Sequence, residues 1–257
     1  MLGQSVDSRA EIVATGTRPG PLLVVVAVEF EARHLARGLP RPPSASSPAA
    51  ADGARVALRT VGLGTADLPR LGPGLLALHP RAVLVTGLAG GCAPDVAPGE
   101  IVLGVTVGPT GSGEWLAPDL ALRERALRAL EVTGIPHRLG RILTVREAVA
   151  TPRAKAECWQ THGALAVDME SAHVLDWARR AGLPALAVRA IADGPADVLP
   201  PALLRAVGPA GAVELPAVLG WVVRPGLVGS AWRLWRRSRA ALDQLARFLA
   251  GFTASQP

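Results

Sequence analysis

The apolar positions fall into short unbroken runs separated by polar stretches. The longest run is Leu22 to Val28, seven residues ending at Glu29. It is far short of the ~20 residues of a spanning helix, and its valines predict a strand buried on both faces. Comparable runs predict strands at 82–86, 101–107, 142–145, 164–167 and 185–191, and alternation predicts one at 55–61. Between them, helical spacing predicts helices from Glu29 to Arg37, around 71–78, over 118–133, at 155–161 and from Met169 to Ala181. Gly182 and Pro184 close the last of these. Buried strands alternating with helices predict an α/β fold. From Leu219 the pattern changes to a helical segment, expected over 227–249.

Composition narrows the picture. About half of the 257 residues are apolar and 19% are charged, so the chain has enough apolar surface to fold, and its length suits one large domain. Met1 to Gly20 lacks the apolar core of a secretory signal and reads as a loose arm. Pro40 to Ala51 reads as an exposed loop. The expected organisation is an arm over 1–20, a domain over 21–218 and an extension over 219–257. Cys92 and Cys158 are the only cysteines, which fits reduced thiols in a cytoplasmic protein. The net charge is +6, but the extension alone holds six arginines against Asp243. The remainder is nearly neutral, which argues against a nucleic-acid groove.

Several common sites are absent. Gly62-Leu63-Gly64 meets Asp67 where a dinucleotide fingerprint needs its third glycine. The glycines of 87–91 are not followed by Lys and Ser or Thr, so no P-loop exists there. No serine sits in a Gly-x-Ser-x-Gly elbow. The five histidines (His34, His79, His137, His162, His173) show no metal spacing.

What remains is polar chemistry placed directly after buried strands, where open α/β sheets bind ligands. Glu29 and Glu31 follow the first strand. A glycine turn, Gly87 to Gly91, follows strand 82–86. Asp168-Met169-Glu170 follows strand 164–167, and Asp193 follows strand 185–191. Each carboxylate alone has a bland role, such as facing a positive helix start. Together around a glycine-lined floor they suit a ring-bearing polyhydroxylated molecule, because a carboxylate accepts two hydrogen bonds from vicinal hydroxyls.

The segment Thr86-Gly87-Leu88-Ala89-Gly90-Gly91-Cys92-Ala93-Pro94, continued by Pro98-Gly99-Glu100-Ile101-Val102, resembles the nucleoside phosphorylase/nucleosidase family. So do Ala166-Val167-Asp168-Met169-Glu170-Ser171, Val188-Arg189-Ala190-Ile191-Ala192-Asp193 and Ala27-Val28-Glu29-Phe30-Glu31, all in family order. The resemblance implies a mixed central sheet flanked by helices, and cleavage of an N-ribosidic bond. It implies Asp193 as the acid at purine N7 and Glu31 as the base that activates water. Glu170 would hold the ribose 2′- and 3′-hydroxyls, with Met169 against the sugar. Gly87, Ala89 and Gly90 would line the floor, and Val149 would complete the substrate-binding set. No metal or organic cofactor is implied; inorganic phosphate is a candidate co-substrate, and a homo-oligomer fits the family.

The Val-Asp-Met-Glu-Ser wording, Pro200-Pro201 and the long C-terminal segment resemble hopanoid-associated phosphorylases. That implies adenosylhopane as substrate, with methylthioadenosine/adenosylhomocysteine nucleosidase activity as the alternative. A noncatalytic nucleoside- or lipid-binding protein is a further alternative, but a binder has no use for an acid at N7. The chain departs from the family at Ala192, in place of an acid-orienting serine, and at Ala148, in place of an aromatic ring. Val85 and Leu88 stand where phosphorylases carry an Arg and a Ser or Thr. The residues therefore favour water, with Arg33 and Arg59 left as candidate cations for phosphate. At 100° per residue, Trp232, Trp235, Arg236 and Arg239 share one side of the tail helix. Two readings follow for 227–249: packing on the body, or peripheral contact with the inner face of a membrane.

Overall fold

The computed structural model describes residues 20–39, 56–111, 113–199 and 225–254. The expected arm (apart from Gly20), the Pro40–Ala51 loop and Pro200-Pro201 lie outside the described residues. Seven strands occur among those described: β1 (Leu22–Val26), β2 (Val56–Thr60), β3 (Ala82–Gly91), β4 (Ile101–Pro109), β5 (His137–Thr144), β6 (Ala164–Asp168) and β7 (Ala185–Asp193). The helices are α1 (Glu29–Leu35), α2 (Leu68–Leu76), α3 (Leu120–Thr133), α4 (Pro152–His162), α5 (Ser171–Arg180) and α6 (Pro225–Ala254).

The sheet is mixed and closes on itself. β3 pairs with β7 in parallel, β7 with β4 antiparallel, β4 with β5 and β5 with β6 in parallel, and β6 returns antiparallel to β3. β1 and β2 extend outward from β3 in parallel. Both faces of β1 are covered, which is why its sequence is unbroken and apolar. Leu23 and Val25 pack with Leu68, Leu75, Val174 and Leu175 of α2 and α5. Leu22, Val24 and Val26 pack with Leu35, Leu130, Leu245 and Phe248 of α1, α3 and α6.

The tail helix is two-faced in its second half only. Ala241, Leu242, Leu245, Phe248, Leu249 and Phe252 are fully buried at helical spacing. His34 Nε2 on α1 and Asp243 Oδ1 lie 2.6 Å apart and tie the helix to the body. Earlier in α6, Trp232 and Trp235 stay exposed, with Arg236 and Arg239 stacked over their rings. No helix among the described residues is long and apolar enough to cross a membrane.

Three expectations need correction. Gly87 to Gly91 is the second half of β3, held in register between β7 and β6, and not a turn. Glycine keeps this part of the strand open to its neighbours: a Cβ on Gly90 would stand 3.2 Å from Val167 and 3.3 Å from Asp193 Oδ2. β5 begins at His137, five positions before the expected 142, because its first half is only partly covered and carries polar side chains. α5 starts at Ser171, so Met169 and Glu170 occupy the bend between β6 and α5, where side chains reach the sheet edge.

Candidate active site

The ends of β1, β3, β6 and β7 converge, and a cavity of about 210 Å³ opens between them. Its wall includes Glu31, Ala89, Gly90, Val149, Met169, Glu170 and Asp193, with Ala148 and Ala192 beside them. Three segments far apart in sequence thus deliver four carboxyl groups to one space: Glu31, Asp168 with Glu170, and Asp193. Two expected members are placed elsewhere. Glu29 is solvent-exposed and pairs with Arg33. Gly87 lies behind the wall, where a Cβ would stand 2.8 Å from Glu31 Oε1 and 2.9 Å from Arg189 Nη1. Its bare Cα leaves room for those two side chains, and its φ of +143° is one that L side chains rarely adopt.

Glu31 stands in the first turn of α1. Its Oε1 accepts from the Leu88 amide at 2.8 Å and its Oε2 from the Ala27 amide at 3.2 Å. Burial nevertheless raises its pKa above the ordinary value. Glu170 Oε1 accepts from the Gly64 amide at 3.0 Å, which gives the glycine pair 62–64 a role in the site. Burial, against the pull of Arg189, raises the Glu170 pKa to about 7.

The cation that holds this cluster is Arg189, and sequence reasoning gave it no role. It is fully buried in the middle of β7. Its Nε lies 2.6 Å from Asp168 Oδ2 and its Nη2 lies 3.4 Å from Glu170 Oε2. The Nη1 has no hydrogen-bond partner among the described residues. The candidate cations Arg33 and Arg59 are both surface groups away from the cavity: Arg33 pairs with Glu29 and Arg59 donates to the Leu58 carbonyl. An arginine inside an otherwise apolar strand was the available signal, since a buried charge needs partners.

Asp193, the last residue of β7, is buried, and burial raises its pKa. The structure adds an opposing cation, Lys155 of α4, whose Nζ lies 2.5 Å from Asp193 Oδ2. Lys155 is the chain's only lysine, and that rarity was its one sequence signal.

The Glu170 shift has a sign that can be checked. The folded protein holds this proton more tightly than the unfolded chain does. The resulting stability is complete below the ordinary value of 4.5 and is lost as pH rises through about 7. Glu170→Gln is therefore expected to flatten the melting temperature between about pH 5 and about pH 8. It should also weaken riboside binding while leaving free adenine binding unchanged. Calorimetric melting across that range and titration with both ligands check this; an unaltered pH slope would reject the assignment.

The sequence of residues 22–201 matches the model of the phosphorylase superfamily. The chain belongs to that superfamily. No curated protein sequence shows significant similarity to it. Among solved structures, the 5′-methylthioadenosine/S-adenosylhomocysteine nucleosidase of Neisseria meningitidis, bound to methylthio-immucillin-A, superposes with a TM-score of 0.68 at 17% identity. That match covers 92% of this chain and 100% of the other. The S-adenosylhomocysteine nucleosidase of Streptococcus pyogenes, in complex with 5-methylthiotubericidin, also gives 0.68 at 17% identity, over 94% of this chain and 99% of that one. Futalosine hydrolase of Helicobacter pylori gives 0.60 at 14% identity, over 90% and 97%. At these identities the likeness establishes the fold.

Proposed function

We propose that the protein hydrolyses the N-ribosidic bond of a 5′-substituted adenosine. The observation that carries this reading is the meeting of Glu31, Glu170 and Asp193 around one cavity, with Arg189 between the first two. Glu170 accepts the ribose 2′- and 3′-hydroxyls. Asp193 gives a proton to purine N7 as the C1′–N9 bond breaks and its electron pair passes to the base. The sugar becomes cationic in character, and the surrounding carboxylates favour that charge. Water attacks C1′ and Glu31 takes its proton. The C1′–N9 pair leaves with the base, a lone pair of water forms the new C1′–O bond and no atom changes partner through a redox step, so the residues supply the chemistry by themselves.

Electrostatics supports water over phosphate. A phosphate beside Arg189 would also face Glu31, Glu170 and Asp168, three carboxyl groups against one guanidinium. Val85 and Leu88 add no donor side chain. The solved relatives named as nucleosidases support a small thioadenosine substrate better than adenosylhopane. One feature favours the lipid-linked substrate instead: exposed Trp232 and Trp235 beside stacked arginines, a composition suited to an anionic bilayer surface.

The test is adenine release from methylthioadenosine, with and without phosphate, beside adenosylhopane in anionic liposomes. Release should proceed without phosphate and yield the free sugar. Glu31→Gln should slow it by roughly 10²–10⁴-fold. A sugar 1-phosphate formed only with phosphate would replace the hydrolase reading by a phosphorylase one. Turnover of the liposomal substrate alone would move the specificity to the lipid-linked adenosine.

A further inference from the structure

We propose that Lys155 is the positioning residue of Asp193: it fixes the carboxyl group in the cavity wall and sets the pH range over which that group gives up its proton. This rests on the reading of Asp193 as the proton donor.

Lys155 has no exposed surface. An ammonium has three N–H donors, and here each finds an acceptor. They go to Asp193 Oδ2 at 2.5 Å, to the Gly194 carbonyl at 2.7 Å and to the Asp197 carbonyl at 3.1 Å. A buried ion pair is a poor means of stabilising a fold, since an apolar pair of similar volume does as well or better. What this one achieves is geometry. One bond holds the carboxylate, and two hold the backbone of the loop that follows it. Asp197 extends the arrangement outward: its Oδ2 accepts from the Gly194 amide at 2.8 Å and from Arg237 Nη1 on α6 at 2.7 Å. With Oδ2 engaged by Lys155, Oδ1 is the oxygen left to exchange a proton with a ligand. Ala192, next to Asp193 in the cavity wall, has no polar side chain for the task.

The titratable and charged groups that face Asp193 are Lys155 from α4, Asp197 from the following loop, Arg233 and Arg237 from α6 and Cys92 just after β3. Lys155 is the cation in direct contact with the carboxyl group. Burial favours the protonated acid and Lys155 favours the carboxylate, so the pair brings proton donation toward the working pH. Without Lys155 the acid holds its proton to higher pH and gives it up less readily.

The experiment compares Lys155→Met with the unaltered enzyme by pH profile. The alkaline limb of kcat/KM should move upward by about 1–3 pH units, the range by which a neighbouring cation depresses an aspartate. kcat should fall while KM stays close to its original value. In an Asp193→Asn background the same substitution should cause no further loss of activity, because Lys155 acts through that carboxyl group. An alkaline limb that stays in place, or an equal additional loss in the Asp193→Asn background, overturns the proposal. If Lys155→Met does not fold, Lys155→Gln keeps a hydrogen-bond donor, removes the charge and is read by the same profile. Full adenine release by Asp193→Asn alone is a separate outcome, and it defeats the underlying reading of Asp193.

Discussion

Asp193→Asn is expected to reduce adenine release by roughly 10²–10⁴-fold, the usual contribution of a positioned general acid, while riboside binding survives. An amide has the shape of the carboxyl group and can still accept from Lys155. It cannot carry the proton that N7 needs as the base departs. The loss should therefore fall on kcat. Binding should persist because Glu170, Met169 and Val149 line the cavity independently of position 193. Stopped-time adenine assays together with direct titration of a nonhydrolysable riboside separate the two effects. Turnover close to that of the unaltered enzyme would exclude Asp193 as the donor. Loss of binding in parallel with turnover would point to a structural role.

The second large effect is on folding. Arg189→Met removes the guanidinium that faces Asp168, Glu170 and Glu31 inside the protein. Breaking a buried pair by deleting one partner costs about 3–5 kcal/mol, and here two ion pairs go at once. The carboxyl groups left behind respond by holding their protons to higher pH. The folded state then binds more protons than the unfolded chain, and its stability falls as pH rises through their raised values. The variant should therefore be closest to the parent near about pH 5 and furthest from it near about pH 8. Urea unfolding at both values checks this. An equal loss at both would mean that Arg189 contributes packing and not charge. Activity should be lost at every pH, since Glu170 and Glu31 no longer have the group that stands between them.

These two residues mark the boundary between what could be read and what could not. Asp193 was legible because its signal is local: a carboxylate directly after a buried strand. Arg189 sits inside the same strand and has no such local signal, because its meaning depends on partners supplied by the β6–α5 bend and the start of α1.

By itself the sequence determined the run of buried strands and intervening helices, and the α/β class. It also placed Glu31, Glu170 and Asp193 at the ends of strands or starts of helices. All of this follows from period, run length and neighbours a few positions away. Only the tertiary structure decided that the glycines of 87–91 continue β3, since that depends on β6 and β7 lying on either side. It alone showed that α6 buries its second half against α1 and α3 while leaving its tryptophans outside. It alone paired Lys155 with Asp193, 38 positions apart, and Arg189 with Glu170, 19 apart. A buried charge is specified by what surrounds it in space, and spacing along the chain carries no record of which distant acid will meet which base.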